Sequence, residues 1–307
     1  MTGATSSTKF GDRTSADEVL AGLDLSGRTI LVTGCATGIG FESMRALAAR
    51  GAHVIGTARS LQRAGEACGK VVGKTTPIAC DQDDFASVAG AVKTLRDVDV
   101  VLDALIANAG IMVPPRPDVR YGVESQFRVN HLSHMLLVTG LADRLREGSG
   151  RLVVVSSTAA QDFAPRQGVM FDNLDAHRDY RPWRFYGQSK LANLAFAKSM
   201  AERLSARGVT ANALHPGMIP GTDLARSLNP ILFKLLSPVV SLFLKTVPQG
   251  AATQCYLAAH PDMAGKSGGY YSHCQPARAN PHADDPAFRE RLWATSESIL
   301  AEHAPPS

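Results

Sequence analysis

Short apolar runs alternate with longer amphipathic stretches along most of the chain. Stretches of helical length include Gly40–Arg50, Asp84–Leu95 and Tyr121–Arg146. The apolar runs predict β-strands at Thr29–Val32, His53–Thr57, Pro77–Ala79, Leu102–Ala107, Arg151–Ser156, Val209–His215 and Gly269–Ser272. Continuous apolar strands that alternate with helices are typical of a parallel sheet buried under helices on both faces. The pattern therefore predicts an α/β fold with a doubly wound parallel sheet of about seven strands.

The N-terminal part of the chain departs from this alternation. Residues 1–23 are expected to form an extension with a short helix, which begins at the capping box Ser15-Ala16-Asp17-Glu18. Residues 24–303 are expected to form one domain, because no change in composition divides them into two cores. The most apolar segment, Ile231–Val247, is interrupted by two lysines and a proline, so it does not fit a membrane-spanning helix. Peripheral contact with a membrane surface, or the lining of an apolar cleft, stays open for this segment.

Composition places the chain among ordinary globular proteins. Of its 307 residues, 45% are hydrophobic and 20% are charged, and the net charge of +4 comes from 32 basic and 28 acidic residues spread over the whole length. This even spread disfavours nucleic-acid binding, which needs Lys and Arg clustered on one face. The odd number of cysteines and the absence of a secretory signal favour a reducing compartment, so a cytoplasmic location is expected. His131 and His134 lie three residues apart without a third ligand at suitable spacing, so no metal is expected.

Three glycines crowd into Leu31–Phe41, "LVTGCATGIGF", where the first predicted strand meets a helix. Gly34 permits the tight turn, Gly38 lets the backbone approach a ligand, and Gly40 lets the helix pack against the sheet. Amide groups around Ile39, at the start of this helix, then point at a phosphate group and are aided by the helix dipole. A glycine motif alone also fits an ordinary turn between a strand and a helix. Its position after the first strand of an alternating pattern favours a dinucleotide-binding site. The expected fold is therefore a single-domain sheet of the Rossmann type.

Five further motifs follow the glycines. They are "ANAG" at Ala107–Gly110, "VNHLSH" with Asn130, "VVVSS" ending at Ser157, "YGQSK" with Tyr186 and Lys190, and "HPG" at His215–Gly217. Together with the glycine spacing T-G-x-x-x-G-x-G, this order over residues 25–275 resembles the short-chain dehydrogenase/reductase family. The long interval between Ser157 and Tyr186 is similar to that of the retinol-dehydrogenase-like branch, which includes protochlorophyllide-reductase-like proteins. The resemblance implies an NAD(P)(H)-dependent oxidoreductase that acts on CH–OH donors or on the matching carbonyl group.

The same motifs imply four catalytic residues. Tyr186 and Lys190 are four residues apart on a predicted helix, so their side chains share one face. A nearby ammonium favours the phenolate, so Lys190 is expected to lower the pKa of Tyr186 and to make the phenol a general acid or base. By resemblance, Lys190 also binds the nicotinamide ribose, Ser157 holds the substrate oxygen and Asn130 anchors a water in a proton relay. Ser156 is the alternative serine, since strand alternation directs only one of the pair at the cleft.

Arg59 sets the expected cofactor preference. NAD sites usually carry an acidic residue at the end of the second strand, where this chain has Ala58 followed by Arg59. A guanidinium pairs with a 2′-phosphate, so NADP(H) is expected and NAD(H) stays the alternative.

The resemblance places Asp81 and Gln82 beside the adenine, whereas Thr222 comes one position later than the family's cofactor-contacting Ser or Thr. The expected cofactor contacts are Gly34, Ala36, Thr37, Gly38, Ile39, Gly40, Arg59, Asp81, Gln82, Asn108, Ala109, Gly110, Tyr186, Lys190, Pro216, Gly217, Ile219 and Thr222.

Apolar residues surround the expected reaction centre. A substrate lid, implied by the resemblance at about 218–248, is rich in Leu, Ile, Val and Phe. Apolar pockets suit lipophilic ligands, so the expected substrate is a lipophilic ketone or aldehyde, or the alcohol in the reverse direction. Packing in the core or between subunits is the alternative explanation. The segment before the catalytic tyrosine adds Phe163, Met170, Phe171, Trp183 and Phe185.

Two other functions stay open at this point. A cofactor-binding regulatory or scaffold protein with little turnover would not need all four catalytic residues. A C=C reductase of the protochlorophyllide type would need a pigment that nothing in the sequence demands. The resemblance further implies a homo-oligomer, a dimer or tetramer formed through the long helices that carry Asn130 and Tyr186.

Overall fold

The computed structural model describes residues 10–219 and 244–305, which fold around one eight-stranded sheet. Two further strands, β5 and β6, form a separate hairpin. In chain order the strands are β1 (Thr29–Val32), β2 (His53–Ala58), β3 (Thr75–Ala79), β4 (Ala104–Ala107), β5 (Val119–Arg120), β6 (Val123–Glu124), β7 (Arg151–Val155), β8 (Thr210–His215), β9 (Tyr270–Ser272) and β10 (Gln275–Pro276).

The order of the strands creates a binding position at the centre of the sheet. Across the sheet the order is β10-β9-β8-β7-β4-β1-β2-β3. All neighbours pair in parallel except β9 and β10. The chain moves from β1 outward to β3 and then returns to β4 on the other side of β1, so the winding reverses between β1 and β4. Ligands of such doubly wound Rossmann-type sheets bind at the carboxyl ends of the strands beside this reversal.

The seven expected strands are all present, with ends shifted by one or two residues. The eighth strand of the sheet, β10, was not expected. It has 2 residues, ends in a proline and pairs antiparallel at the edge. Such a short edge strand carries no alternation of apolar and polar residues from which it could be predicted.

Helices cover both faces of the sheet. One hydrophobic cluster joins α4, α6, α8 and α10 to one face, and a second joins α1, α2 and α9 to the other; burial of apolar surface on both faces is the main favourable term in folding. In chain order the helices are α1 (Ala16–Val19), α2 (Gly38–Ala48), α3 (Leu61–Cys68), α4 (Phe85–Asp97), α5 (Ser125–Phe127), α6 (Ser133–Leu141), α7 (Ala159–Asp162), α8 (Pro182–Arg203), α9 (Val247–Ala259) and α10 (Pro286–His303).

The long helix expected at Tyr121–Arg146 begins later than its pattern predicts. Tyr121 and Gly122 have positive φ angles of +58° and +68°, and they turn the β5–β6 hairpin. The carboxylate of Glu124 then caps α5 by accepting hydrogen bonds from two amides of its first turn. Between α5 and α6 the backbone forms a π-helical turn, Arg128–Leu132, hereafter the π-turn. The expectation is therefore wrong for the first residues, because left-handed backbone and a side-chain cap override the helical pattern.

The N-terminal segment packs onto the domain. Ser15 begins the expected capping box: its Oγ accepts from the Glu18 amide at 3.3 Å, and its own amide donates to the Glu18 carboxylate at 2.7 Å. Phe10 is 7% exposed and lies edge-on against Tyr256 of α9, with ring centroids 5.8 Å apart. Residues 10–20 thus extend the core beneath α9. The domain division at residue 23 stays a prediction.

Two sequence expectations concern regions that the structure describes only in part. The apolar segment Ile231–Val247 and the lid at about 218–248 lie mostly outside the described residues. Within residues 10–219 and 244–305, no helix has the length and apolar content that crossing a membrane requires. All five cysteines are free and buried.

Candidate active site

The glycine turn closes against the end of β4. Gly34 has a φ of +72°, which strongly favours glycine, and a Cβ there would lie 2.9 Å from the Cα of Ala109. A Cβ on Gly40 would lie 2.3 Å from the carbonyl oxygen of Gly34. At Gly38, where α2 begins, a Cβ would meet nothing within 4 Å. The start of α2 therefore faces open space that suits a phosphate group. The other expected contacts on this turn are Ala36, Thr37 and Ile39.

The end of β4 joins the glycine turn to the catalytic residues. Asn108 Nδ2 donates to the carbonyl oxygen of Thr33 at 2.8 Å, which fastens β4 to the strand that precedes the glycines. A Cβ on Gly110 would lie 2.9 Å from Asn130 Oδ1 and 3.5 Å from Lys190 Nζ. The "ANAG" segment thus brings the glycine turn and two of the four expected catalytic residues together.

Asn130 lies in the π-turn, and its side chain is fully hydrogen-bonded. Its Oδ1 accepts from the Ile111 amide at 2.8 Å, and its Nδ2 donates to the Ile111 carbonyl and to Ser189 Oγ, each at 3.0 Å. Ser189 Oγ donates in turn to the Tyr186 carbonyl at 2.8 Å. These bonds fix Asn130 between β4 and α8. The side chain of Asn130 therefore has a structural role, and its main-chain carbonyl oxygen lies 2.9 Å from His134 Nδ1.

Tyr186 and Lys190 share a face of α8, as their spacing predicts. Lys190 Nζ lies 5.8 Å from the centroid of the Tyr186 ring and donates to the Val155 carbonyl at 3.1 Å. The two residues are 9% and 4% exposed. Because burial disfavours the charged form, it lowers the pKa of Lys190 to about 8.

The expected lowering of the Tyr186 pKa is not found. Burial of the phenol raises its pKa to about 12, and a hydrogen bond with Ser157 offsets only part of this effect. Loss of water around the phenol therefore outweighs the nearby ammonium. The phenol stays protonated at neutral pH, which is the form that a general acid needs.

The two serines after β7 have different partners. Ser156 is 1% exposed, and its Oγ donates to the carbonyl oxygen of Lys190 at 2.6 Å. Ser157 lies close enough to Tyr186 to lower the pKa of its phenol, and its Oγ accepts from the Ala159 amide at 3.2 Å. Ser157, rather than the alternative Ser156, is the serine beside the tyrosine.

Polar groups on the expected adenosine side fit a dinucleotide. Arg59 follows β2 and is exposed, and Asp81 Oδ1 accepts from the Asp83 amide at 3.1 Å. Gln82 Oε1 and Asn108 Oδ1 are buried and have no hydrogen-bond partner within the described part of the chain. A buried acceptor without a partner costs about 1–3 kcal/mol, so such atoms are rare. Both acceptors suit a group that brings donors, as the adenine amine and the ribose hydroxyls do.

The HPG turn lies at the same end of the sheet. A Cβ on Gly250, near the start of α9, would lie 2.3 Å from Ile219 Cδ1 and 2.8 Å from Ile39 Cγ2. The start of α9 therefore packs against both the HPG segment and the glycine turn. The expected contacts Pro216, Gly217 and Ile219 belong to this segment, whereas Thr222 lies outside the described residues.

His134 makes two contacts that the sequence analysis did not predict. Its Nδ1 lies 2.9 Å from the Asn130 carbonyl oxygen, and its Nε2 lies 2.9 Å from Thr33 Oγ1. His131 bonds instead to Ser296 Oγ at 2.9 Å, so the two rings diverge. Across residues 10–219 and 244–305, no three His, Cys, Asp or Glu side chains are placed to hold a metal. The four-residue spacing of Asn130 and His134 on one helix is the signal that could have predicted their contact.

An open cleft of about 540 Å³ is lined by residues 162–167, Met170, Arg181, Trp183 and Arg184, and it reaches the tyrosine only through Trp183. Trp183 meets Tyr186 edge-on with ring centroids 6.2 Å apart, and Phe163 packs at a tilt on Trp183 at 4.9 Å. Phe185 is fully buried, and Phe171 packs against the main core. These two residues therefore have the packing role that was the alternative explanation. The apolar residues that line the cleft, out of the expected five, are Phe163, Met170 and Trp183.

The segment between β7 and α8 rests directly on the helix that carries the tyrosine. A Cβ on Gly187 would lie 2.5 Å from the Ala164 amide nitrogen and 2.8 Å from the Ala159 carbonyl oxygen. Only glycine at position 187 lets the backbone of α7 approach α8 this closely. Residues 159–164 and Tyr186 therefore form one packed unit.

Comparison with known proteins agrees with this geometry. A family model described as short chain dehydrogenase matches residues 28–169. The chain is 35% identical to "Short-chain dehydrogenase TIC 32 B, chloroplastic" of Brassica napus over 98% of its length and 97% of the relative's, and 34% identical to human retinol dehydrogenase 14 over 90% and 87%. A crystal structure of a Burkholderia cenocepacia short chain dehydrogenase in complex with NADP matches with a TM-score of 0.62 at 25% identity, over 81% of this chain and 96% of that one. The chain therefore belongs to the short-chain dehydrogenase/reductase family and has relatives in its retinol-dehydrogenase-like branch.

Proposed function

We propose that this protein is an NADP(H)-dependent oxidoreductase that transfers a hydride between NADPH and a lipophilic ketone or aldehyde, or acts on the alcohol in reverse. The observation that carries the proposal is that Tyr186, Lys190, Ser157 and Asn130 converge at the carboxyl end of the sheet, next to Gly110. A protein that only bound the cofactor would need no such arrangement of proton-transferring groups.

Tyr186 is the proposed general acid. Its phenol gives a proton to the substrate oxygen, which Ser157 holds by a hydrogen bond. The Lys190 ammonium stabilises the phenolate that remains, because an opposite charge nearby favours the ionised form. A proton then returns to Tyr186 by way of Lys190 and a water held at the Asn130 carbonyl. The cofactor, when bound, supplies the hydride.

Arg59 supports the choice of NADP(H) over NAD(H). It is exposed beyond the end of β2, where the preceding residue, Ala58, offers no carboxylate to repel a 2′-phosphate. The relative from Burkholderia cenocepacia, whose crystal structure contains NADP, adds support.

Arg59→Ala tests the cofactor preference. We expect the Kd for NADPH to rise about 10- to 100-fold, the value of a charge-assisted contact of roughly 1.5–3 kcal/mol, and the Kd for NADH to stay the same. Lys70→Ala, which removes another exposed cation beyond the end of α3, is the control. Equal changes for both cofactors in titrations of NAD(P)H fluorescence would contradict the assignment.

The proposed substrate class rests on the aromatic side chains next to Tyr186. Trp183 meets the phenol ring edge-on and Phe163 packs on Trp183, and small-molecule sites are mostly apolar. The cleft of about 540 Å³ that Phe163 and Trp183 line also has charged walls, formed by Asp162, Arg166, Arg181 and Arg184. A screen of lipophilic aldehydes and ketones, followed by NADPH absorbance, identifies the substrates.

Tyr186→Phe tests the catalytic assignment. We expect turnover of the best carbonyl substrate to fall about 10²- to 10⁴-fold, the usual contribution of a general acid. The Kd for NADPH should stay within about threefold, since the ring keeps its packing against Trp183. Unchanged turnover would refute the role of the phenol.

The alternative functions have their own outcomes. If NADPH binds and no carbonyl in the screen is reduced, the regulatory or scaffold function replaces the enzyme. Light-dependent reduction of an added pigment would indicate the C=C reductase.

We also propose a cytoplasmic homo-oligomer, a dimer or tetramer. Five free, buried cysteines suit a reducing compartment. Light scattering of the purified protein tests the assembly, and cell fractionation tests the location.

A further inference from the structure

His134 connects two parts of the active site that are distant in sequence. It is 1% exposed, on the first turn of α6. Its ring bridges the Asn130 carbonyl in the π-turn and the Thr33 hydroxyl at the end of β1, with both distances at 2.9 Å. Thr33 Oγ1 also accepts hydrogen bonds from the amides of Asn108 and Ala109, each at 2.9 Å.

The hydrogens of this chain of bonds run in one direction. A carbonyl oxygen only accepts, so the His134 Nδ1 must carry the hydrogen that goes to Asn130. Burial lowers the pKa of His134 to about 4, with a smaller contribution from Lys190, so the ring is neutral at physiological pH and its Nε2 accepts from the Thr33 hydroxyl. The order of donation is thus from the amides after β4 to Thr33, from Thr33 to His134, and from His134 to the Asn130 carbonyl.

The Asn130 carbonyl is the group on which this chain of bonds ends. The side chain of Asn130 is fully used by Ile111 and Ser189, so its orientation does not depend on the histidine. The carbonyl belongs to a π-turn, where the hydrogen bonds of the regular helix are interrupted. The proposed relay water would bind this carbonyl, so the carbonyl's direction would set where that water lies relative to the Lys190 ammonium.

We propose that His134, held by Thr33, is a positioning residue that fixes the Asn130 carbonyl for proton return to Lys190 and ties it to the cofactor-contacting residues 108–110. The inference rests on the proposed function and adds a residue to it. The charged or titratable groups that bear on His134 are Lys190 and the neighbouring His131.

Two substitutions separate the ends of the histidine. In His134→Asn, the amide nitrogen occupies the place of Nδ1 and keeps a donor for the Asn130 carbonyl. In His134→Gln, the amide lies at the place of Nε2, so it reaches Thr33 and leaves the carbonyl without its donor. His131→Gln is the matched control, because it alters a buried histidine three residues away, in the π-turn, whose ring bonds to Ser296 instead.

We expect His134→Gln to lower kcat for the best carbonyl substrate on the order of tenfold or more, because small displacements of catalytic groups are costly. The KM for that substrate should change by less than about threefold, and the alkaline limb of the pH profile of kcat, which reports Lys190, should move. His134→Asn and His131→Gln should stay within about threefold of the parent in kcat and keep its pH profile. Equal effects of the Asn and Gln variants, or no effect of either, would overturn the proposal.

Amide hydrogen exchange supplies a readout that needs no turnover. Residues 128–134 should exchange faster in His134→Gln than in His134→Asn, in both free and NADPH-bound protein. This result with no detectable carbonyl reduction would retain the positioning of Asn130 and reject the proposed function. Should His134→Gln fail to fold, Thr33→Val and Thr33→Ser decide: loss of kcat in the Val variant with recovery in the Ser variant supports the proposal, and equal activity of the two rejects it.

Discussion

Lys190 shows how one residue opposes stability and activity. It is 4% exposed, and burial lowers its pKa from 10.5 to about 8. Because the folded state binds the proton less readily than the unfolded state, the charged lysine destabilises the cofactor-free protein. This cost is complete below pH 8 and disappears as the pH rises toward 10.5. A shift of this size corresponds to about 3 kcal/mol.

Lys190→Met should therefore stabilise the protein and remove its activity. At pH 7 we expect the free energy of unfolding in urea to rise by up to about 3 kcal/mol, while kcat falls about 10²- to 10⁴-fold. The gain in stability should shrink when the measurement is repeated near pH 10. A variant that is less stable than the parent at pH 7 would mean that the lost hydrogen bond to the Val155 carbonyl outweighs the cost of burial.

The positions of individual residues could be predicted where their spacing along the chain decides which side chains lie together. The four-residue interval of Tyr186 and Lys190 predicted their shared face, and the expectation that Ser157 rather than Ser156 faces the tyrosine agrees with their different hydrogen bonds. The direction of the Tyr186 pKa shift was not predictable, since it depends on how completely β7 and residues 159–164 remove water from the phenol.

A buried arginine fastens the π-turn to the loop after β3, which is the expected adenosine side of the site. Arg128 begins the turn and is fully buried. Its Nη2 donates to Asp83 Oδ1 at 2.6 Å and to Asp118 Oδ2 at 3.0 Å. Asp83 belongs to the loop after β3, two residues beyond the expected adenine contact Asp81. The guanidinium of Arg128 thus connects the loop after β3 to the π-turn that carries Asn130.

Arg128→Met should loosen both elements at once. We expect a loss of about 3 kcal/mol in the free energy of unfolding, because two carboxylates and two backbone carbonyls lose their donor. The Kd for NADPH should rise as well. Arg120→Met is the control: this arginine is half exposed in its ion pair with Asp84, and such pairs contribute about 0–1 kcal/mol. Equal losses in urea unfolding of the two variants would contradict this role of Arg128.

Among the elements, the central strands β1, β4 and β7 could be predicted because each is a nearly continuous apolar run. The first residues of the Tyr121–Arg146 stretch could not, since the hairpin at Tyr121 depends on left-handed backbone and the π-turn has no periodic signature. The segment before α8 was also beyond prediction, because its path depends on contacts with α8 rather than on its own pattern.

On the scale of the whole molecule, one aromatic residue contributes to stability and another to the proposed contact with the substrate. Phe10 anchors the N-terminal segment beneath α9 and is 7% exposed, whereas Phe163 lines the cleft and is 44% exposed. The first belongs to the packing on one face of the sheet, and the second to the carboxyl end where the chemistry is proposed.

Phe10→Ala and Phe163→Ala should therefore have opposite effects. The first should lower the free energy of unfolding by about 3 kcal/mol, as is usual for a buried phenylalanine, and leave KM for the carbonyl substrate nearly unchanged. The second should change stability by less than about 1 kcal/mol and raise KM severalfold. Urea unfolding and steady-state kinetics of both variants check the pair. Similar stability losses would show that Phe163 is part of the core.

The close approach at Gly187 limits how this enzyme can diversify. Because residues 159–164 lie on the backbone of the helix that carries Tyr186, insertions or deletions there would displace the proposed general acid together with the wall of the cleft. New substrate preferences should therefore arise by exchange of side chains such as Phe163 and Trp183, with the course of the backbone inherited unchanged.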